Sequence, residues 1–100
     1  MKQWFVVHTQ PLKESVAYQN LMEQDFEVYL PRFKKTRRHA RKVDEVLAPL
    51  FPRYLFVGMD LEADGWRSVQ GTRGVSYLLT MDGRPALIPS RLIQDLKDQE

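Results

Sequence analysis

Two kinds of hydrophobic pattern follow one another in the first third of the chain. The segment from Trp4 to Thr9 is rich in β-branched and aromatic residues, which is typical of a largely buried strand. After Pro11, apolar residues recur at helical spacing and predict a helix over about 12 to 24, with an apolar face of Ala17, Tyr18, Leu21 and Met22. Residues 26 to 33 return to the alternation of a strand, with apolar positions at Phe26, Val28 and Leu30.

The middle of the chain predicts a long β-hairpin and then another strand. A return strand begins at Val43, Val46 and Leu47, so residues 34 to 42 are interpreted as the hairpin tip. Pro49 and Pro52 then bend the chain before a strand from Arg53 to Gly58, because proline within a sheet favours edges and irregular positions.

The remaining residues predict a short helix, a second hairpin and a closing helix. A helix around 62 to 70 would bury Trp66 and Val69. A turn bracketed by Gly71 and Gly74 precedes a strand from Val75 to Thr80.

The sequence Asp82-Gly83 then predicts a tight hairpin turn. The closing helix has Ser90 as its predicted N-cap and an apolar face of Leu92, Ile93 and Leu96. The order of elements over residues 1 to 100 predicts a single α+β domain in which helices pack against an antiparallel sheet.

The composition excludes several classes of protein. One hundred residues that are 43% hydrophobic suit one compact core, and the absence of cysteine excludes disulfides and thiolate zinc sites. No apolar run reaches the length of a membrane span, and the first residues lack the pattern of a signal peptide. We therefore expect a cytoplasmic protein.

Positive charge is concentrated in the predicted hairpin. Within nine residues that contain no acid, six are basic, namely Lys34, Lys35, Arg37, Arg38, Arg41 and Lys42. Removing these six from the fifteen basic residues leaves nine against thirteen acidic residues, a balance of −4 for the remainder. This asymmetry favours a nucleic acid approached from one side, although a hairpin that is charged only for solubility is the alternative.

Evidence for catalysis is weak. The two histidines, His8 and His39, have no partner at metal-ligand spacing, and no phosphate-binding loop or nucleophile motif occurs. Gly71-Thr72-Arg73-Gly74 matches the Gly-x-x-Gly pattern of KH domains, but here it leads into a strand and is interpreted as a structural turn. We expect no enzymatic activity, no cofactor and no metal.

The strand from Arg53 to Gly58 carries the most informative side chains. Alternation places Tyr54 and Phe56 on one face of the strand, and Leu55 with Val57 suit the face that covers the helices. Tyr54 and Phe56 would then lie on the open face as an aromatic binding patch, unless a terminal helix or hairpin covers them.

Two binding modes fit such a patch. The first is base stacking in a module that binds single-stranded RNA, as in RRM domains. The RRM pattern requires glycine before the first aromatic residue and glycine or alanine between the two, where this chain has Arg53 and Leu55. The RRM-like module is therefore the alternative to the second mode, the docking of a partner protein's helix.

Four segments, in order and spacing, resemble the N-terminal domain of the NusG family, and within that family the specialised paralogue RfaH most closely: Trp4–Val7, Pro49–Val57, Thr72–Val75 and Ile88–Ser90. The resemblance covers essentially the whole chain. It implies a four-stranded antiparallel sheet flanked by helices, with a protruding basic β-hairpin. It also implies a monomeric transcription elongation and antitermination factor that binds RNA polymerase and suppresses pausing.

The resemblance further implies the contact residues. The clamp helices of the polymerase β′ subunit would contact His8, Phe51, Tyr54, Phe56, Ile93 and Leu96. The gate loop of the β subunit would contact Trp66, Arg67 and Ser68. Non-template DNA would meet Gln10, Asn20, Gln24, Thr72 and Arg73, with the basic hairpin near upstream DNA. A linker and a small KOW domain, which recruits ribosomes or termination factor, would follow Glu100, so the chain is expected to be a piece of a longer protein, with a free-standing domain as the alternative.

Overall fold

The computed structural model describes residues 1–63 and 65–100, and in them three helices and nine strands follow the chain. The helices are α1 (Glu14–Glu23), α2 (Arg67–Gln70) and α3 (Ser90–Asp98). The strands are β1 (Gln3–Thr9), β2 (Glu27–Tyr29), β3 (Arg32–His39), β4 (Lys42–Pro49), β5 (Tyr54–Met59), β6 (Val75–Leu78), β7 (Thr80–Met81), β8 (Arg84–Pro85) and β9 (Leu87–Ile88). Among the described residues, no helix is both long enough and apolar enough to cross a lipid bilayer.

An antiparallel sheet forms the centre of the domain. Four strands are arranged in the order β2-β5-β1-β6, as the prediction of four strands requires, and the short strand β9 adds a fifth. Strand β1 can pair with β9 as well as with β5 and β6, because β6 pairs only with the end of β1, from Val7 to Thr9. The start of β1 therefore has space beside it, and β9 pairs there with Trp4 and Phe5.

Strand alternation divides the core between the two faces of the sheet. On one face, Phe5, Val7, Leu55 and Val57 pack with Ala17 and Leu21 of α1 and Val69 of α2. On the other face, Trp4, Val6, Tyr29 and Phe56 pack with Ile93 of α3. The sheet is thus covered by helices on both sides, and the predicted α+β class is confirmed.

The covering by α3 overturns the expectation of an open face at Phe56. Only 7% of Phe56 is exposed, because α3 lies over the middle of this face. Tyr54, at the start of the same strand, remains 39% exposed. The alternative, in which a terminal helix covers the aromatic pair, is correct for Phe56.

Strands β3 and β4 form a separate two-stranded sheet, which confirms the predicted hairpin. They pair over eight residue pairs, from Arg32 with Pro49 to His39 with Lys42. The turn consists only of Ala40 and Arg41, which have positive φ angles of 49° and 69°. Apart from Arg41, the basic residues therefore lie along the two strands, and the interpretation of residues 34 to 42 as the tip is wrong.

Other predicted boundaries also shift. The strand expected over 26 to 33 divides into β2 and β3, because the chain leaves the central sheet at the buried Leu30 and Pro31. The carbonyl of Pro31 instead accepts a 2.7 Å hydrogen bond from the amide of Leu50, which closes the base of the hairpin.

The helices are shorter or placed differently than expected. Within the predicted 62 to 70 helix, only α2 is helical and position 64 lies outside the described residues. Ser90 is the first helical residue and not the N-cap, since the extended Pro89 holds the cap position. Met22 and Leu92, predicted on apolar faces, are exposed because the sheet is contacted mainly by their neighbours Leu21 and Ile93.

Candidate functional site

A row of aromatic rings crosses three strands at one end of the central sheet. His8 on β1 lies opposite Tyr54 on β5 and opposite Tyr77 on β6. The His8 ring meets Tyr54 edge-on with centroids 4.9 Å apart, and it stacks on Tyr77 at 4.6 Å. Tyr54 and Tyr77 are 39% and 41% exposed, so both present ring surface to a partner.

The sequence prediction missed Tyr77, and a β-bulge explains why. In a regular strand Val75 and Tyr77 would share a face. Here the register shifts between His8 and Thr9, so that Thr9 pairs with Val75 and His8 with Tyr77. The extra residue lets Val75 enter the core while Tyr77 joins His8 on the opposite face. No residue type in this segment signals the bulge.

Phe51 extends the row beyond β5. Its ring is 40% exposed and packs edge-on against Phe56, with centroids 6.3 Å apart. Phe56 is in turn supported from within by Ile93, which is buried. We call His8, Phe51, Tyr54, Phe56 and Tyr77 the aromatic patch.

The six predicted clamp-contact residues therefore differ in their exposure to solvent. Phe51 and Tyr54 are exposed, and His8 and Leu96 are half-buried. Phe56 and Ile93 form the floor below them. The Nδ1 atom of His8 is buried and has no hydrogen-bond partner in the described part of the chain.

The predicted gate-loop residues lie around α2. Trp66 is half-buried against the core, and the guanidinium of Arg67 lies 4.9 Å from the centre of its ring. The hydroxyl of Ser68 donates a 2.7 Å hydrogen bond to the carbonyl of Gly65. Trp66 thus packs partly against the core, as its alternative assignment to the core requires, while its contact with the gate loop stays a prediction.

Hydrogen bonds connect α1 to the turn that follows α2. The side-chain amide of Gln24 donates to the hydroxyl of Thr72 at 2.7 Å, and that hydroxyl donates to the carbonyl of Ser68 at 2.8 Å. Asn20 donates to the carbonyl of Val16 at 2.8 Å, within its own helix. The structure therefore brings Gln24 and Thr72 together, and links this group to the predicted gate-loop residues through Ser68.

The other two predicted DNA contacts, Gln10 and Arg73, are exposed. The amide of Gln10 donates to the carbonyl of Gly74 at 2.9 Å, which holds the end of β1 against the same turn. Within residues 1–63 and 65–100 the side chains of Gln10 and Arg73 form no hydrogen bond, whereas those of Asn20 and Gln24 donate hydrogen bonds within the fold.

The basic residues of the hairpin are all exposed and occupy both of its faces. The register places Lys34 and Arg38 on one face, opposite Leu47 and Val43. Lys35 and Arg37 lie on the other face, where Arg37 approaches Asp44 at 3.4 Å. Arg41 stands at the turn and Lys42 begins the return strand. An arm of eight residue pairs extends roughly 26 Å, so positive charge is available along its whole length.

Metal chemistry finds no support in this geometry. Residues 1–63 and 65–100 contain no group of three or more His, Asp or Glu side chains that could hold a metal ion. Base stacking of the RRM type is also disfavoured, because burial of Phe56 removes one of the two ring faces that it requires.

Comparison with known proteins gives consistent results. The family model described as "Transcription termination factor nusG" matches residues 2–97. A transcription termination/antitermination protein NusG from Staphylococcus carnosus is 29% identical, with 94% of this chain and 56% of the relative covered. The corresponding protein from Staphylococcus epidermidis is 29% identical over 75% of this chain and 46% of its own length. The chain thus spans about half the length of these relatives.

A solved structure supports the fold. The structure described as "Domain interaction in Thermotoga maritima NusG" is similar with a TM-score of 0.70 at 20% sequence identity. The similarity covers 96% of this chain and 55% of that chain. At this identity the match bears on the fold alone, and it agrees with the predicted arrangement of sheet and helices.

Proposed function

Because this chain belongs to the NusG family of transcription termination factors, we propose that it binds RNA polymerase through the aromatic patch. The observation that carries the proposal is the row formed by His8, Tyr54 and Tyr77, whose tyrosine rings are about two-fifths exposed on a rigid sheet. Large aromatic side chains supply much of the binding energy at protein interfaces, and they lose little conformational entropy when held in advance.

The proposed partner surface is the pair of clamp helices in the polymerase β′ subunit. A helix presents apolar side chains at intervals of three and four residues, which suits a shallow surface of rings. Phe51 and Tyr54 would contact such a helix directly, with Tyr77 as an additional contact. Phe56 and Ile93 would hold the exposed rings in place from below.

Three further surfaces would face other parts of the transcription complex. The α2 region, with Trp66, Arg67 and Ser68, would approach the β gate loop. The group that contains Gln10, Asn20, Gln24, Thr72 and Arg73 would approach non-template DNA, and the basic hairpin would lie near upstream DNA. Support comes from the Ser68 and Thr72 hydrogen bond, which makes the first two surfaces neighbours.

The proposed mechanism is mechanical. A domain that bridges the clamp and the gate loop would favour the closed, elongating state of polymerase and thereby suppress pausing. It can shift that equilibrium only by its difference in affinity for the two states. A specialised role of the RfaH type belongs to the same proposal, as does recruitment of ribosomes or termination factor through a further domain. Its place of action would be the cytoplasm, where the polymerase transcribes.

Binding to a purified β′ clamp-helix fragment tests this function. We expect Tyr54→Ala and Tyr77→Ala each to weaken binding at least about tenfold, as measured by isothermal titration calorimetry. Met22→Ala is the matched control, because Met22 is exposed on α1, on the opposite side of the sheet. If both tyrosine variants bind like the wild type, the aromatic patch is not the docking site.

Phe56→Ala is a poor test of docking. Its ring is buried between Tyr29, Phe51 and α3, and loss of a buried phenylalanine costs about 3–5 kcal/mol of stability. Weak binding by that variant would report partial unfolding. The exposed tyrosines avoid this ambiguity.

A further inference from the structure

A second apolar surface lies where the hairpin joins the domain. A groove of about 690 Å³ runs between the edge strand β2, the base of the hairpin and the end of α3. One wall is formed by residues 28–34, and the rest by Tyr18, Leu47, Leu50 and Leu96 with the end of the chain. The volume lies within the range of pockets that bind small molecules. The groove shares only Leu96 with the proposed clamp-contact residues.

Three large apolar side chains of this groove are exposed. Phe33 is 43% exposed, Leu47 61% and Leu50 41%. Leu50 is held in position by its amide, which donates to the carbonyl of Pro31. A single exposed apolar residue is ordinary, but several around one concave surface indicate a contact site.

The charge beside these residues is positive. Lys34 pairs directly across the hairpin with Leu47, the most exposed leucine of the groove. Arg32 lies over the ring of Tyr18 at 6.0 Å, at the start of the same strand. Neither cation forms a salt bridge within residues 1–63 and 65–100. The one carboxylate of the lining, Glu100, already accepts a 2.7 Å hydrogen bond from the hydroxyl of Tyr29.

The backbone beside the groove favours an extended ligand. Strand β2 ends the order β2-β5-β1-β6, so no strand of the described chain pairs with its outer edge. An edge strand can accept a further strand, whose alternate side chains then enter pockets on one side. Apolar side chains could thus contact Leu47 and Leu50, and acidic ones could meet Arg32 and Lys34, which the register places on the same face of the hairpin as Leu47.

We propose that this groove binds an extended acidic segment of a partner protein, in which leucine-sized apolar residues alternate with aspartate or glutamate. The proposal goes beyond polymerase docking and does not depend on it. Single-stranded nucleic acid fits less well, because it requires exposed aromatic faces for stacking. In this groove Arg32 covers Tyr18 and Tyr29 is buried, so that Phe33 alone among the lining aromatic residues presents a ring face, too little for the stacking of successive bases.

Fluorescence anisotropy with labelled nine-residue probes tests the proposal. The first peptide alternates leucine and aspartate, the second replaces aspartate with lysine, and the third replaces leucine with serine. A thymidine nonanucleotide is the fourth probe. We expect the first peptide to bind at least about tenfold more tightly than the other two peptides and the nucleotide.

Variants of exposed residues locate the binding. Lys34→Glu and Leu47→Ser should each weaken binding of the leucine-aspartate peptide at least about fivefold. Met81→Ser is the control, because Met81 is exposed on β7 and does not line the groove. Circular dichroism melting verifies that each variant is folded.

Three outcomes would overturn the proposal. In one, the serine-aspartate peptide binds as tightly as the leucine-aspartate peptide, which would show attraction by charge alone. In another, the nucleotide binds more tightly and is lost on Leu47→Ser, which would identify a nucleic-acid groove. In the third, binding is not specific to the acidic peptide or to the groove: the leucine-aspartate peptide binds no better than the leucine-lysine peptide, or Lys34→Glu and Leu47→Ser both bind it like the wild type.

Discussion

Gly74 determines how closely the turn after α2 approaches α1. Its φ angle is +92°, and a Cβ atom at this position would lie 2.6 Å from the backbone nitrogen of Ala17. The close approach accompanies the hydrogen bond between Gln24 and Thr72, which both belong to the proposed DNA surface. A single residue without a side chain therefore fixes the relation between helix and turn.

Gly74→Ala should lower the free energy of unfolding by about 2 kcal/mol or more, since it combines a strained φ angle with a backbone clash. Gly83→Ala is the matched control. Gly83 also has a positive φ, of 79°, but its added Cβ would meet nothing within 4 Å. We expect a loss of only about 1 kcal/mol there. Equal losses in urea unfolding would contradict the role assigned to the contact with Ala17.

At the scale of elements, α3 decides which part of the sheet is available to a partner. It covers Phe56 and is fixed at its end by the hydrogen bond between Tyr29 and Glu100. The ammonium of Lys97 also lies 5.2 Å from the ring of Trp4 and 5.3 Å from that of Tyr29. Burial, and then the Glu100 carboxylate, raise the pKa of Tyr29 well above its ordinary range.

This raised pKa predicts a loss of stability in alkaline solution. An unfolded tyrosine loses its proton near pH 10, whereas folded Tyr29 keeps it to higher pH. The stabilisation is therefore fully present below about pH 10 and decreases as the pH rises above that value. In urea unfolding, the wild type should lose more stability above about pH 10 than Tyr29→Phe does. Tyr77→Phe, whose ring is exposed, is the control, and parallel losses in wild type and Tyr29→Phe would contradict the assignment.

The sequence predicted which residues form strands and helices better than it predicted which strand residues a helix covers. Period-two alternation correctly separated Leu55 and Val57 from Tyr54 and Phe56, because the faces of a strand follow from local geometry. It did not reveal that α3 covers Phe56 while leaving Tyr54 exposed, since this depends on where a helix distant in sequence lies.

Two other features could not be predicted from local patterns. One is the β-bulge at Ser76, the extra residue between Val75 and Tyr77, and the other is the split between β2 and β3. Both arise from pairing between distant segments, which one strand's pattern does not encode. The position of Tyr77 in the aromatic patch could therefore not be found from its neighbours alone. The predicted contact with polymerase came from the family resemblance. Because Phe56 is buried and Tyr77 is exposed, we now propose Tyr77 and not Phe56 as a direct contact.

At the scale of the whole molecule, the hairpin makes the domain elongated and separates its charges. The domain measures 52 × 28 × 24 Å, and the arm of β3 and β4 pairs with no other strand in residues 1–63 and 65–100. The arm, residues 32–49, has seven basic and two acidic residues, a balance of +5, whereas the remaining residues have eight basic against eleven acidic, a balance of −3. A nucleic acid would therefore be attracted to the arm and repelled by the body.

The salt dependence of DNA binding measures this separation. Replacing Lys35 and Arg38 by alanine removes one cation from each face of the arm. If both contact phosphates of duplex DNA, the slope of log K against log salt should flatten by about two units. Replacing Lys97 and Arg91 of α3 by alanine gives the same change in net charge away from the arm and should leave the slope nearly unchanged. Equal effects of the two pairs would indicate attraction by net charge alone.

Hydroxyl-radical footprinting of the domain on core RNA polymerase is the most direct test of the proposed docking, because it reports contact at individual side chains. We predict that oxidation of Phe51, Tyr54 and Tyr77 slows strongly on binding, while Met22 on α1 is oxidised as in the unbound domain. Unchanged oxidation of those three rings in a complex that protects other residues would contradict docking through the aromatic patch.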